Sequence, residues 1–600
     1  MNKAGLSRLL FFGLVLLIAI VALAETPAIG QITTTPILPL SEVRAGMRGV
    51  AYTVFEGVTP EPMDVEVLGV LRNANGPKGD IILVRLHGKK VEYTGVVAGM
   101  SGSPVYVDGK LMGALAFRIG EFSKEPIAGV TPIEKMLEIN ALDKTPAADA
   151  QSIPSAKSET ARTSGPGTPS GVEGAVDLLR PIETPLVFTG FTQDAVNRFA
   201  PQFANAGIVP VMGAGSVSNE KQPEPIEPGS SVSAILVRGD LNIAATCTVT
   251  YMDPQRLLAC GHPLLQFGMV DMPMTKARVL ATLPSPLNAF KIVNTTEPIG
   301  AFVQDRHTGI LGRFDKRPEM IPVTLTIHDA HQPKQFHYEV LNNSKLTPVA
   351  MMATLFSALQ GVNDAGEDVT YRMTGSISVQ GYPTVHIQNM YAPSDAGAPT
   401  AFASAISLGE RFGRIYQNPY DKAKIKGVEL DFDIVRERRS AQLESARTDV
   451  TEARPGDDIV IESVLRPYRG ERIVRQIPVK IPTSTPKGTL RILISDGNTL
   501  DRMRNIGSNF GHRMDLASTI ALLNKEHSND RLYVSLLEAN PQAMVEDKVM
   551  PALPLSVMNV MEGMRGTQDM VVVGESSVNE ASTPLDYVVS GAQIITVTVK

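Results

Sequence analysis

Short runs in which apolar and polar residues alternate, each closed by glycine or proline, recur along the 600-residue chain and restrict its fold more than any other feature. A period of two puts successive side chains on opposite faces of an extended strand, so a chain made of such runs is mainly β. Between residues 41 and 140 they read VAYTVF, MDVEVLGVL, DIILVRL, SPVYV and KLMGALAF, with Asp108-Gly109 as a tight hairpin turn. The 50 glycines and 43 prolines supply the punctuation. At about 150 residues per domain, the length predicts three or four domains rather than one.

The first residues are of a different kind. Lys3 and Arg8 precede an apolar run from Leu9 to Leu23, and Ala22-Leu23-Ala24 places small residues before Glu25. Residues 1–24 therefore read as a secretory signal peptide, and the chain as exported, periplasmic or extracellular. The run falls short of the ~20 residues of a spanning helix, and no later run approaches that length, so no stable membrane span is expected after cleavage. With 43% hydrophobic and 20% charged residues the remainder is globular, and a net charge of -6 offers no basic field for nucleic acid.

Composition divides the chain further. Residues 36–140 form a first β unit, with Thr131-Pro132-Ile133-Glu134 predicted to open its closing helix through the Thr131 hydroxyl. Residues 141–175, rich in Ala, Ser, Thr, Pro and Gly, cannot build a core and read as a flexible linker. A second β unit covers 176–330, an α+β extension 331–440, and a β-sandwich-like region 441–600.

Reactive chemistry concentrates in two places. Gly99-Met100-Ser101-Gly102-Ser103-Pro104 sits between two β runs. Small neighbours let a carbonyl approach the Ser101 hydroxyl, and the N–H groups of Gly99 and Ser101 would form an oxyanion hole, where one donor is worth about 3–4 kcal/mol. A serine needs a base. Of nine histidines, His262 stands out, because it follows Gly261 at the end of the apolar strand RLLAC, where a side chain can project into a cleft. The only cysteines, Cys247 and Cys260, flank the Asp253-Pro254 turn. A two-residue turn would set them opposite each other for a disulfide, whereas a shift of one residue would leave two buried thiols. No zinc spacing, phosphate loop, dinucleotide fingerprint or calcium loop is present, so neither metal nor other cofactor is expected.

The stretch TGVVAGMSGSPVYVDGKLMGALAFRIGEFSKEPIAGVTPIEKML resembles the nucleophile segment of the SpoIVB-type serine peptidases, relatives of the trypsin-like enzymes. VTYMDPQRLLACGHPLL resembles their histidine segment, and PLSEVRAGMRGVAYTVFEG their domain start. The resemblance spans roughly residues 36–330. It implies a trypsin-like double β-barrel with Ser101 as nucleophile, His262 as general base, Gly99 and Ser101 as oxyanion donors, Ser103 as a structural loop serine, and a protein or peptide substrate. Two departures accompany it. The serine unit precedes the histidine unit, so the halves are permuted, and the family's acid ahead of the serine is missing. Asp305, Asp80 and Glu92 are the substitutes in reach, and a Ser-His dyad is the remaining option. The competing reading is an inactive peptidase fold serving as an envelope binding or assembly module, to which the long region beyond residue 330 would belong.

Overall fold

The computed structural model describes residues 35–600 apart from 121–124, 140–178, 205–208, 213–220, 286–288, 330–331, 364–365, 367, 396, 504–513, 539–541, 546–547, 551–552, 564–569 and 574–575. The signal-peptide reading of 1–24 and the linker reading of 141–175 lie outside the described residues. The fold is mainly β and contains a trypsin-like double barrel.

The first barrel uses six strands: β1 (Arg48–Thr53), β2 (Glu61–Leu71), β3 (Ile81–His87), β4 (Pro104–Val107), β5 (Lys110–Ile119) and β6 (Ile127–Pro132). They pair in the order β1-β2-β3-β6-β5-β4, and β4 returns to β1 to close the ring. Alternation sets the faces: Met63, Val65 and Val67 of β2 point inward to meet Val84, Leu86, Val105 and Leu115. Strand β5 breaks the alternation, being buried from Leu111 to Phe117. One of its faces fills the barrel; from the other, Leu111 and Ala114 pack against Leu258 and Leu311 of the second barrel.

After β7 (Leu179–Pro181), β8 (Pro185–Thr189) and β9 (Val209–Met212), the second barrel uses β10 (Ser231–Gly239), β11 (Asn242–Met252), β12 (Arg256–Ala259), β13 (Gly268–Leu283), β14 (Phe290–Arg306) and β15 (Gly309–Arg313). Their order, β10-β11-β12-β15-β14-β13 and back to β10, repeats that of the first ring. Each half is thus a complete barrel. Strands β13 and β14, of 16 and 17 residues, overshoot their own barrel and clasp the other. Gly57 and Val279 exchange backbone hydrogen bonds of 2.7 and 2.9 Å there, over a patch of Val54, Ala277, Val279 and Val293.

The second barrel does not end its sheet. β17 (Lys334–Leu341) adds to β10, followed by β16 (Met320–His328), β20 (Ile425–Val435), β18 (Thr370–Val379) and β19 (Val385–Tyr391). The boundary read near residue 330 falls between the paired strands β16 and β17, and the helices Leu346–Val362 and Thr400–Tyr416 share one core with the barrel. Beyond residue 440, a four-stranded and a five-stranded sheet face each other over Leu443, Ile461, Ile477, Ile492, Val534 and Val597. No helix among the described residues is long and apolar enough to cross a membrane.

The closing helix of the first unit, Ile133–Leu137, is where sequence and structure part. Pro132 occupies the N-cap without a side-chain hydrogen bond. The Thr131 hydroxyl instead donates to the Gly261 carbonyl at 2.6 Å, and Glu134 accepts from the Leu40 N–H. A contact 130 residues away outcompeted the local cap because Thr131 is buried against the second barrel.

Candidate functional site

Ser101 and His262 occupy equivalent places. Ser101 lies between the third and fourth strands of the first barrel and His262 between the third and fourth of the second, β3 to β4 and β12 to β13. The serine loop is bonded to β11 of the second barrel. Ser101 O accepts from Thr248 N–H at 2.8 Å, Gly99 O from the Thr248 hydroxyl at 2.9 Å, and Gly102 O from the Thr250 hydroxyl at 2.7 Å. Gly102, at φ +95°, must be glycine: a Cβ there would lie 1.9 Å from Thr248 O and 2.6 Å from Cys260 N. Gly261, at φ +71°, sets the histidine loop against β5, where an added Cβ would lie 3.0 and 3.1 Å from the Cβ atoms of Ala114 and Ala116.

The serine loop is pinned internally too. Gly102 N–H donates to Leu115 O, Leu115 N–H to Ser103 O, and the Ser103 hydroxyl to Met100 O at 2.7 Å, leaving Ser103 as a loop brace. Ser101 Oγ has no partner. Gly99 N–H donates to Glu183 O at 3.3 Å, so this expected oxyanion donor meets a carbonyl of the chain itself.

His262 is 3% exposed. Its Nδ1 lies 2.8 Å from Pro263 O; a carbonyl only accepts, so Nδ1 carries the proton and Nε2 keeps its lone pair in the neutral ring. Burial pushes its pKa below the ordinary value, with the backbone of Pro263 and of Ile182 opposing the shift. Nε2 is buried and unpartnered, so it makes no hydrogen bond to Ser101 Oγ in this arrangement. Each unsatisfied buried group costs about 1–3 kcal/mol, a cost that a third group bonding both would remove.

The candidate acids lie elsewhere. Asp305, at the end of β14 and fully buried, does not bond the ring. Its carboxylate accepts from the N–H groups of Leu264 at 2.8 Å and Leu265 at 2.7 Å, and so fastens the turn after His262. Burial pushes its pKa up to about 6 against those bonds. The expectation of Asp305 on the imidazole is thus corrected: the short turn offers two backbone donors in line with the carboxylate, and the ring turns to the Pro263 carbonyl. Asp80 pairs with Arg72 at 2.6 Å and Asn73 N–H on the first barrel, and Glu92 accepts from Gly88 N–H on an exposed helix. Cys247 and Cys260 are joined in a disulfide with Cα atoms 5.2 Å apart, which ties β11 to the end of β12 two residues before His262.

Sequence reasoning missed Lys291. It is fully buried on β14, donates to the Thr53 hydroxyl at 2.8 Å, and lays its stem against Gly99, while its N–H donates to Ala98 O at 3.2 Å. Burial brings its pKa down to about 7. The signal was present in FKIVN, where period two puts Lys291 on the face of Val293. Among the described residues one group, His328, Asp431 and Asp433, has ligand-type atoms within 4.8 Å of one another; it lies on the extension, and its histidine is bonded to Asp431 at 2.9 Å.

No curated protein and no solved structure matches the chain significantly. Residues 26–137 match the family model described as SpoIVB peptidase S55. The match covers the serine barrel and less than a fifth of the chain, leaving His262 outside it. Taken with the double barrel, it supports a SpoIVB-type serine peptidase family assignment.

Proposed function

We propose that the chain is an exported serine endopeptidase, periplasmic or extracellular, that cuts a restricted protein substrate or itself through an acyl-enzyme. Ser101 Oγ attacks the peptide carbonyl and His262 Nε2 takes its proton. The oxyanion moves toward the N–H groups of Gly99 and Ser101, His262 returns the proton to the leaving amine, and water then releases the acyl group by the same steps. The Pro263 carbonyl fixes the tautomer, a task that an acid performs in a full triad, so a dyad of modest turnover is the form of the proposal. The observation that supports it is a serine loop bonded to β11 of the second barrel, with a buried serine hydroxyl and a buried, neutral imidazole nitrogen that both lack a hydrogen-bond partner.

Labelling of the folded protein with a fluorophosphonate tests this, with the adduct mapped by mass spectrometry. The expected adduct is on Ser101, abolished by Ser101→Ala or His262→Ala and retained in Ser103→Ala. An adduct that survives His262→Ala would remove the base from the mechanism. The second reading, an envelope binding or assembly module, is favoured by the Glu183 carbonyl on Gly99 N–H and the missing Ser101–His262 bond. It predicts a stable complex in envelope extracts that Ser101→Ala leaves intact.

A further inference from the structure

The connector between the barrels crosses the site as a bound peptide would. Strand β4 has four residues and covers β5 only as far as Ala114, so the last residues of β5 keep a free edge on that side. β7 fills it antiparallel, Leu179 opposite Ile119, Arg180 opposite Arg118 and Pro181 opposite Phe117. The ladder continues with Ile182 N–H donating to Ala116 O at 2.8 Å. One residue later the Glu183 carbonyl takes Gly99 N–H, and the Ile182 backbone meets the His262 ring. The side chains fit as well: Ile182 is fully buried, and the Glu183 carboxylate pairs with the Arg118 guanidinium, both largely shielded from water.

An open strand edge next to a serine loop recognises extended peptides through main-chain bonds and leaves selectivity to side-chain pockets. We propose that segment 179–184 is a built-in occupant of the substrate site that holds the resting protein shut, and that Arg118 selects an acidic side chain in the peptide that replaces it. A shielded guanidinium left without its carboxylate is costly, so a neutral residue there binds less well. The proposal rests on the serine-peptidase reading. It explains why Ser101 Oγ and His262 Nε2 stand unpaired: the backbone that lies between the loops blocks the site without completing it.

The full chain is compared with Arg118→Gln and Glu183→Gln by two readouts, amide hydrogen exchange across 179–184 and the rate of fluorophosphonate labelling at Ser101. In both variants the Ile182 amide is expected to exchange at least tenfold faster and Ser101 to label at least tenfold faster. A peptide with the sequence of residues 178–185, in excess, should suppress labelling in Glu183→Gln but not in Arg118→Gln, and its Glu-to-Gln version should suppress neither. Equal labelling of all three proteins, fast exchange of Ile182 in the wild type, or equal competition by both peptides would overturn the occupant. Labelling of none, with Ile182 still protected, would overturn the peptidase reading and the substrate role of the segment with it, leaving β7 as a structural tie.

Discussion

The two barrels share a strand order and differ in what holds their working loops. The serine loop is fastened mostly from outside: Thr248, Thr250 and the stem of Lys291 belong to the other barrel. The histidine loop is fastened mostly from within, by Asp305 and the Cys247–Cys260 disulfide, while the Thr131 hydroxyl reaches its Gly261 carbonyl from across the interface. A serine loop whose geometry is set by its partner barrel is fully held only when the barrels are docked. On the proposed mechanism, catalytic competence would be coupled to assembly of the two units, whereas the loop of the proposed base would be prepared in advance.

That contrast breaks hardest at Gly102. Gly102→Ala drives a Cβ into Thr248 O and Cys260 N, neither of which can yield without parting the barrels. The expected result is loss of Ser101 labelling and a fall in stability of about 3 kcal/mol or more, read by denaturant unfolding. Replacing both cysteines by serine acts inside the second barrel. It should cost about 3 kcal/mol, the scale for closing a loop of this size, and slow labelling less than Gly102→Ala does.

Asp305→Asn sharpens the contrast. The loss of a carboxylate that accepts two backbone bonds should cost about 1–3 kcal/mol. Because Asp305 does not touch the imidazole, labelling should fall far less than the ~10⁴ expected for a triad acid. Its raised pKa gives a further sign: between about 4 and 6 the folded state holds a proton that the unfolded state has released, so stability contributed there is present at the acid end and lost as pH rises through about 6. Asp305→Asn should flatten that part of the stability–pH curve. Lys291 gives the opposite slope. From about 7 to 10.5 the unfolded amine is charged and the folded one is neutral, so stability rises with pH across that window. Lys291→Met should abolish the rise and increase stability at pH 7, measured by unfolding at a series of pH values. The smallest effect concerns His262: with its pKa depressed by burial, the acid limb of the labelling rate should lie below pH 6.5. A limb above 6.5 would mean that the ring is more hydrated, or closer to a negative charge, than its surroundings here imply.

What was legible in the sequence follows the range of the interactions. The serine loop, the histidine after Gly261, the β periodicity and the order of the two units all reside in contiguous stretches, and their local chemistry is visible there. The closure of each half into its own ring came only through the family resemblance, because it depends on pairs such as Val50 with Tyr106 that no local pattern specifies. Thr131 carried a helix-cap signature and bonded Gly261 instead. Asp305 was selected for lying in the same half as His262, yet its oxygens went to backbone N–H groups that have no signature in side-chain sequence. Lys291 hid for the opposite reason: a lysine in a strand is ordinarily read as solvated, and only its place in the alternation marked it as buried.

The overhanging hairpin β13–β14 has one more implication. Its grip on Gly57, the apolar contact of Leu111 and Ala114 with Leu258 and Leu311, and the Thr131–Gly261 bond all join the barrels without using the peptide that links them in sequence. Covalent continuity between the two units is therefore redundant with their docking. A chain cut between residues 140 and 178 is accordingly expected to keep its two barrels docked through these contacts.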